Sequence, residues 1–389
     1  MAVGLGLSIG TVNTVSALAD STSAKAPPGR RRRPPSFARH TRVAARPKAV
    51  TRRTTLTFDS AGLVRVGRIP KHGRAVTEFA DLTQRSAPSA RVGNRMLSAA
   101  DLIAVVADKV IGEDLAEQLD PEVGIAVTYP ARYSDEHVEE LRDALDELGL
   151  TEVELVAEPV AAAHWLESER SSMMPGLTLV YDLGGGGLDV TLVRVGPGSP
   201  PDPIVGESLR STEFGGRAYG AMVARARRGP GQIAGTEPVP TPEELRTRHI
   251  RGSLELVYRC LRSADVTMAD VDCVLVVGGA ARPAEVVEVL ATELARPVMA
   301  APDPERTIAD GAALIARRNA VEESEGPVRD ADDESDAQGG VGRAAGFSRR
   351  TRQRFTRVAS AAGLSAIAAA LMLGLPGDGV IVELPQLGQ

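Results

Sequence analysis

The sequence predicts an α/β protein whose strands end in glycine-rich turns, and three observations carry that prediction. Glycine-containing turns near residues 6–13, 182–189 and 278–279 each follow a run of apolar residues. Between them, stretches such as 134–148 repeat apolar residues at helical intervals. The 389 residues, 43% hydrophobic and 25% charged, lie in the globular range and suffice for two to three domains. Aromatic residues are only 3%, so Val, Leu and Ala must fill most of the core.

The first turn, Gly6-Leu7-Ser8-Ile9-Gly10-Thr11-Val12-Asn13, reads as strand, tight turn, strand. Glycine lets the backbone close tightly and aim N–H groups at an anion, and Thr11 adds a hydroxyl donor. A plain hairpin is the alternative. Next, Gly124 to Thr128 reads as a strand ended by Pro130. Ser134 can cap a helix carrying Val138, Leu141, Leu145 and Leu148 on one face, and Gly149 ends it. A short strand, Val153 to Val156, leads into Glu158-Pro159, where a carboxylate can reach a cleft or simply favour the helix dipole.

The second turn is Leu179-Val180-Tyr181-Asp182-Leu183-Gly184-Gly185-Gly186-Gly187-Leu188-Asp189. A hairpin needs one or two glycines; four imply that something approaches the backbone closely. Asp182 and Asp189 bracket the turn, and two carboxylates beside a phosphate cradle suit a hydrated magnesium ion. A long hairpin with solvated acids is the alternative. The third turn joins Cys273 to Val277 through Gly278-Gly279 to a helix beginning near Pro283, with Val286, Val287, Leu290 and Leu294 on one face. Such a unit places a ligand at the helix N-terminus.

Charge organises the rest. Residues 21–58 hold many bases and no acid, including Arg30 to Arg33 between prolines, and read as an exposed, poorly ordered insertion; its 25–53 stretch could touch anionic lipid or nucleic acid, with a solvated loop as the alternative. Residues 319–346 are acidic and then glycine-rich, a linker. Five arginines between Arg349 and Arg357 precede 358–377, which carries no charge and as a helix would just cover the hydrocarbon core of a bilayer. The arginines would keep the folded part in the cytoplasm, as a single-pass protein of the cell membrane; an Ala-rich helix on a cytoplasmic protein is the alternative. The net charge of -6 gives no reason to expect nucleic acid, and Cys260 and Cys273 lack metal-ligand spacing. The N-terminus lacks a basic leader region and reads as a buried strand.

Taken together, these segments resemble the ATPase domain of the heat-shock protein 70 chaperone family, in family order from about residue 3 to 318. GLSIGTVNT is similar to its first phosphate loop and LVYDLGGGGLDV to its second. VTYPARYSDEHVEELRDALDELGL with AEPVAAA resembles its connecting segment, STEFGGRAY its Leu-Gly-Gly segment, and VLVVGGAARPAEV its adenosine motif. The stretch Leu63 to Lys71 resembles the strand and turn that carry its catalytic lysine. The resemblance implies a two-lobed actin-like ATPase fold of duplicated ribonuclease-H-like lobes. Lobe I would take residues 1–175 and lobe II 176–318, followed by a linker over 319–354, a membrane helix over 355–377 and a tail over 378–389.

It also implies roles. Gly10, Thr11, Gly184, Gly185 and Gly186 would hold the phosphates of ATP. Asp182, Asp189 and Glu158 would order magnesium and its waters, and Lys71 would contact the terminal phosphate and attacking water. Gly278, Gly279 and Arg282 would line the adenosine side. Four departures narrow this. Ser8 stands where the family has aspartate, and Gly187 where it has threonine. The stretch from Gly216 to Cys273 is short, which implies a reduced adenine-clamp subdomain, and no peptide-binding domain follows residue 318. Each lost charge-stabilising contact costs about 3–4 kcal/mol in the transition state, so slow turnover at most is expected. The expectation is a weak ATPase or nucleotide-dependent switch acting on an unidentified protein partner. A pseudo-ATPase scaffold is the second reading, and a filament protein or sugar kinase of the actin fold a more distant one.

Overall fold

The computed structural model describes residues 2–20, 49–58, 63–69, 75–84, 89–92, 95–116, 123–170, 173–227 and 240–324. The first half runs β1 (Val3–Ile9), β2 (Asn13–Ala19), β3 (Ala49–Arg53), β4 (Leu56–Phe58), β5 (Val64–Val66), β6 (Ala90–Val92), β7 (Arg95–Leu97), α1 (Ala99–Leu115), β8 (Val123–Tyr129), α2 (Asp135–Glu147), β9 (Glu154–Ala157) and α3 (Glu158–Glu169). The second runs β10 (Gly176–Leu183), β11 (Leu188–Val195), β12 (Ile204–Ser211), α4 (Gly216–Arg227), α5 (Pro242–Ser263), β13 (Cys273–Val277), α6 (Ala284–Leu294), β14 (Val298–Ala300) and α7 (Thr307–Ser324).

One strand order occurs twice. Sheet I is β3-β2-β1-β8-β9 and sheet II is β12-β11-β10-β13-β14. In each, a three-stranded antiparallel meander is extended by two parallel strands. Helix starts follow local chemistry. Ser98 and Asp101 form a reciprocal capping box on α1, and Thr241 and Glu244 do the same on α5. The α2 face turns Leu141 and Leu145 into the core, and Gly149, at φ +77°, supplies the left-handed stop.

Two helices tie the lobes together. α3 follows sheet I in the chain yet packs on β10, β11 and β13; α7 follows sheet II yet packs on β1, β2 and β8. Ala161 and Leu166 of α3 and Ile308, Ala312 and Ile315 of α7 share one buried cluster with Val180, Val193, Leu275 and Val277 of sheet II. The approach is too close for side chains. A methyl group on Gly4, Gly6 or Gly124 would collide with α7 backbone carbonyls, and one on Gly311 with the carbonyl of Ala161. Dispersion contact over a Gly/Ala surface thus supplies much of the coupling between lobes.

Several expectations need correction. Residues 49–58, read as part of a poorly ordered basic insertion, form β3 and β4, and β3 closes the edge of sheet I. Its Arg52 is held 2.6 Å from Asp114 and 3.4 Å from Glu113, so the base neutralises acids near the end of α1. The folded unit passes residue 318, because α7 continues to Ser324 and Asn319 hydrogen-bonds Glu154 at 2.7 Å. On α6 the buried face is Val286, Val289, Leu290 and Leu294, with Val287 only partly covered. Residues 21–48, Lys71 and the linker, membrane segment and tail expected from 325 onward lie outside the described residues. Among the described residues no helix is long and apolar enough to cross a membrane.

Candidate functional site

A cleft of about 300 Å³ opens between the two sheets, and all three glycine turns line it. The first turn joins β1 to β2. Gly10 N–H donates to the Asn13 carbonyl at 3.0 Å, closing the turn. Thr54, just past β3, then ties two of its carbonyls back: its hydroxyl donates to Gly10 O at 2.6 Å and its N–H to Val12 O at 2.9 Å. The second turn joins β10 to β11 and is treated alike. Its Gly187 carbonyl accepts from Gly184 N–H at 2.9 Å, and the Gly184 and Gly185 carbonyls accept from Gly216 and Arg217 N–H groups, each at 3.0 Å. Turns whose carbonyls are bound elsewhere present the positive side of their peptides to a ligand.

The glycines of the second turn have a reason the sequence did not disclose. What approaches Gly185 and Gly186 is the first turn. A Cβ on Gly186 would lie 2.5 Å from Thr11 Oγ1, and one on Gly185 would lie 2.9 Å from Val12 Cβ. Gly187 is crowded by its own lobe: a Cβ there would sit 2.7 Å from Ser211 O and 3.2 Å from Arg210 Cζ. Gly215, at φ +118°, makes the remaining close approach, since a Cβ on it would lie 2.7 Å from Gly187 N.

The third turn follows β13 and packs against the end of β10. Gly278, at φ +94°, packs so closely on Asp182 and Leu183 that only glycine fits. A single 3₁₀ turn, Gly279–Ala281, separates it from α6. Arg282 is about half exposed and pairs with Asp303 at 3.0 Å and Glu305 at 2.5 Å. Glu305 also accepts from Asn13 Nδ2 at 2.5 Å, which links the third turn to the first.

Glu158, at the start of α3, Asp182 on β10 and Asp189 on β11 line one wall of this cleft. Burial raises all three carboxyls. Asp182 is pushed up to about 7, by burial first and then by the Asp189 charge. Glu158 is raised well above its ordinary value by burial and by the charges of Asp182 and Asp189. Asp189 is raised less freely, because Arg210 and Arg132 oppose its burial.

Sequence reasoning missed those two arginines and Asp81. Arg132 follows β8 and Arg210 lies on β12. Arg210 pairs with Asp189 Oδ2, and its Nη2 lies 3.6 Å from Asp81. Arg132 Nη2 lies 2.7 Å from Asp81, and its Nε 3.3 Å from Asp189 Oδ1. Asp81 and Arg132 belong to the first half of the chain and Asp189 and Arg210 to the second, so the four charges cross the cleft. The Asp81 side chain is only 3% exposed. Burial pushes its carboxyl up, but the Arg132 and Arg210 guanidiniums and Thr83 outweigh that and hold it below the ordinary range.

The fit of a magnesium ion is therefore divided. Both oxygens of Asp189, one of the two expected ligands, face guanidiniums. The Asp182 and Asp189 charges raise Glu158, and the Asp189 charge raises Asp182, so Asp182 and Glu158 are the carboxylates left to order a hydrated magnesium.

A family profile described as Hsp70 protein matches residues 79–225 and 241–330. Among curated proteins, the chain is 26% identical over 248 residues to the Chaperone protein HscA homolog of Shewanella frigidimarina, covering 54% of this chain and 38% of that one. It is 27% identical over 261 residues to the HscA homolog of Bordetella pertussis, covering 56% and 40%. Against Chaperone protein HscA of Proteus mirabilis it is 28% identical over 258 residues, again 56% and 40%. The chain thus spans about two fifths of the length of the curated relatives it matches. With the duplicated sheets, the crossing helices and a profile match over more than half of its residues, the chain belongs to the Hsp70 family and has its two-lobed actin-like ATPase fold.

Proposed function

We propose that the cleft binds ATP and that the protein is a nucleotide-dependent switch related to molecular chaperones, with slow hydrolysis at most. The observation that carries this is the pair of facing glycine turns, one from each lobe, with their carbonyls tied back above the Glu158–Asp182 carboxylates. Gly10, Thr11, Gly184, Gly185 and Gly186 hold the phosphates, and Gly278, Gly279 and Arg282 flank the nucleoside. Magnesium bound with the phosphates supplies charge neutralisation. Asp182 and Glu158 would order its waters, and Lys71, outside the described residues, would be the group assigned to the terminal phosphate. Because α3 and α7 each pack on the opposite lobe, a ligand that changes the angle between the turns shifts both helices, and that is the signal a partner reads.

The second reading, a pseudo-ATPase scaffold, is favoured by one feature: Asp189 is already engaged by Arg210 and Arg132, next to the Ser8 and Gly187 replacements. Single-turnover assays with labelled ATP and magnesium separate the two. The switch reading expects phosphate release that is slow but above background, and a Glu158→Gln variant that removes it. Release no faster than the blank, with binding intact, selects the scaffold. The uncharged 358–377 segment supports a membrane attachment for this module, and carbonate extraction of the full chain tests it; release into the supernatant removes that attachment.

A further inference from the structure

At Asp189 the structure puts guanidinium groups where a divalent cation was expected. Gly187 leaves no side chain in the turn, and the Arg210 guanidinium takes that space, its Cζ 3.2 Å and Nε 3.4 Å from where a Cβ would be. Arg132 enters from the other lobe and brings its Nε 3.3 Å from the second Asp189 oxygen, a charge contact in which neither buried atom makes a hydrogen bond. Both arginines line the same cleft as the two phosphate-binding turns. They are fixed there: Asp81 holds both, Thr83 Oγ1 accepts from Arg132 Nη1, and the two side chains are only 10% and 16% exposed. Within this cluster the two arginines offset Asp81 and Asp189. Of those two acids Asp189 lines the cleft, beside Asp182 and Glu158, so without the arginines a third buried carboxylate would face an incoming polyphosphate.

We propose that Arg132 and Arg210 take over at Asp189 the task of the divalent cation, so that the cleft binds a nucleotide polyphosphate without one. The inference rests on the nucleotide reading above and deepens it. Binding is made independent of magnesium by the arginine pair, and only turnover retains a need for the ion, through Asp182 and Glu158. A residue that neutralises permanently also needs no ordering of metal-bound water on ligand entry, so it serves a switch that must load at any magnesium level.

The test is calorimetric titration of the full chain with ATP, in excess magnesium and in excess EDTA. The wild type is expected to bind with Kd values within about threefold of each other in the two conditions. Arg210→Ala and Arg132→Ala each remove one partner from a buried charge pair and should lose about tenfold or more in EDTA, with much of the loss recovered in magnesium. Arg210→Lys, which keeps the charge if the alanine variant does not fold, should hold EDTA binding within about threefold of wild type. Asp189→Asn decides by sign. If Asp189 is the counter-ion of the arginines, the variant binds ATP more tightly in EDTA; if it is a metal ligand, the variant binds more weakly in magnesium. Wild-type binding that collapses in EDTA, or an Arg210→Ala loss equal in both conditions, overturns the inference and leaves the nucleotide reading standing. Absence of binding in both conditions overturns the two together.

Discussion

At the end of the cleft where the glycine turns meet, each charged side chain of the cross-lobe cluster is anchored by more than one partner. At the Arg282 end, Arg282 and Glu305 also have two partners each, but Arg282 is half exposed, whereas the four side chains of the cross-lobe cluster are 16% exposed or less. Asp81, Arg132, Asp189 and Arg210 are gathered from four separate chain segments, whereas Arg282, Asp303 and Glu305 come from one neighbourhood of the chain. The difference teaches where this protein keeps its precision. The end that would receive the phosphates is desolvated. The Arg282 end, where the proposed nucleoside would lie, is more open: among the described residues α4, α5 and one 3₁₀ turn, Met268–Asp270, separate β12 from β13. Affinity and any switching should therefore be governed by the phosphates far more than by the base.

The comparison breaks most visibly at Asp81. Asp81→Asn leaves two buried guanidiniums sharing Asp189, and breaking a buried pair costs about 3–5 kcal/mol. Urea denaturation should show that loss; a drop no larger than that of an Arg282 variant would erase the contrast between the ends.

The pH dependence follows. Asp182 holds its proton in the folded state up to about 7, so between the ordinary carboxylate value near 4 and that point the folded chain binds more protons than the unfolded one. Its contribution is present in full below about 4 and is lost as pH rises toward 7. Asp81 is held below its ordinary value and acts oppositely: its contribution is present above about 4 and is lost as pH falls. Ligand-free stability should therefore peak on the acid side of neutrality, and Asp182→Asn should flatten the decline toward pH 8. Stability that rises steadily from pH 5 to pH 8 contradicts this.

Smaller effects sharpen the picture. Gly185→Val drives a side chain into Val12 and should cost about 1–3 kcal/mol by overpacking, read as a lower thermal midpoint. Arg282→Ala removes a half-exposed pair, worth about 0–1 kcal/mol of stability, and should weaken ATP binding less than any variant of the phosphate turns.

Much of the fold was legible because its signals are local. The turns at Gly10 and Gly184, the Ser134 cap and Gly149 stop of α2, and the β13-to-α6 connection each lie within a few residues of chain. β3 was not legible, because it lies in a run of bases and the partners of its Arg52, Asp114 and Glu113, lie some sixty residues away on α1. Arg132 and Arg210 were missed for the same reason. A buried guanidinium is identified by its counter-ion, and Asp81 and Asp189 are brought to it only by the closing of two sheets. One hint was present: Arg132 directly follows the strand that Pro130 ends, where a charge enters any cleft at the strand's C-terminal edge. The four glycines were read correctly as a site of close approach, but at Gly185 and Gly186 the approaching group is the first turn.

The central claim is that two facing turns, one from each lobe, form a single nucleotide site. It is tested most directly by calorimetric titration of the full chain and of Gly186→Val with ATP and magnesium, with circular dichroism confirming that both are folded. Valine at 186 would press on Thr11, 2.5 Å from the position of its Cβ, and push the turns apart. The account predicts saturable binding at one site per chain in the wild type and its loss in the variant. No saturable binding in the wild type, or equal binding in both, would contradict it.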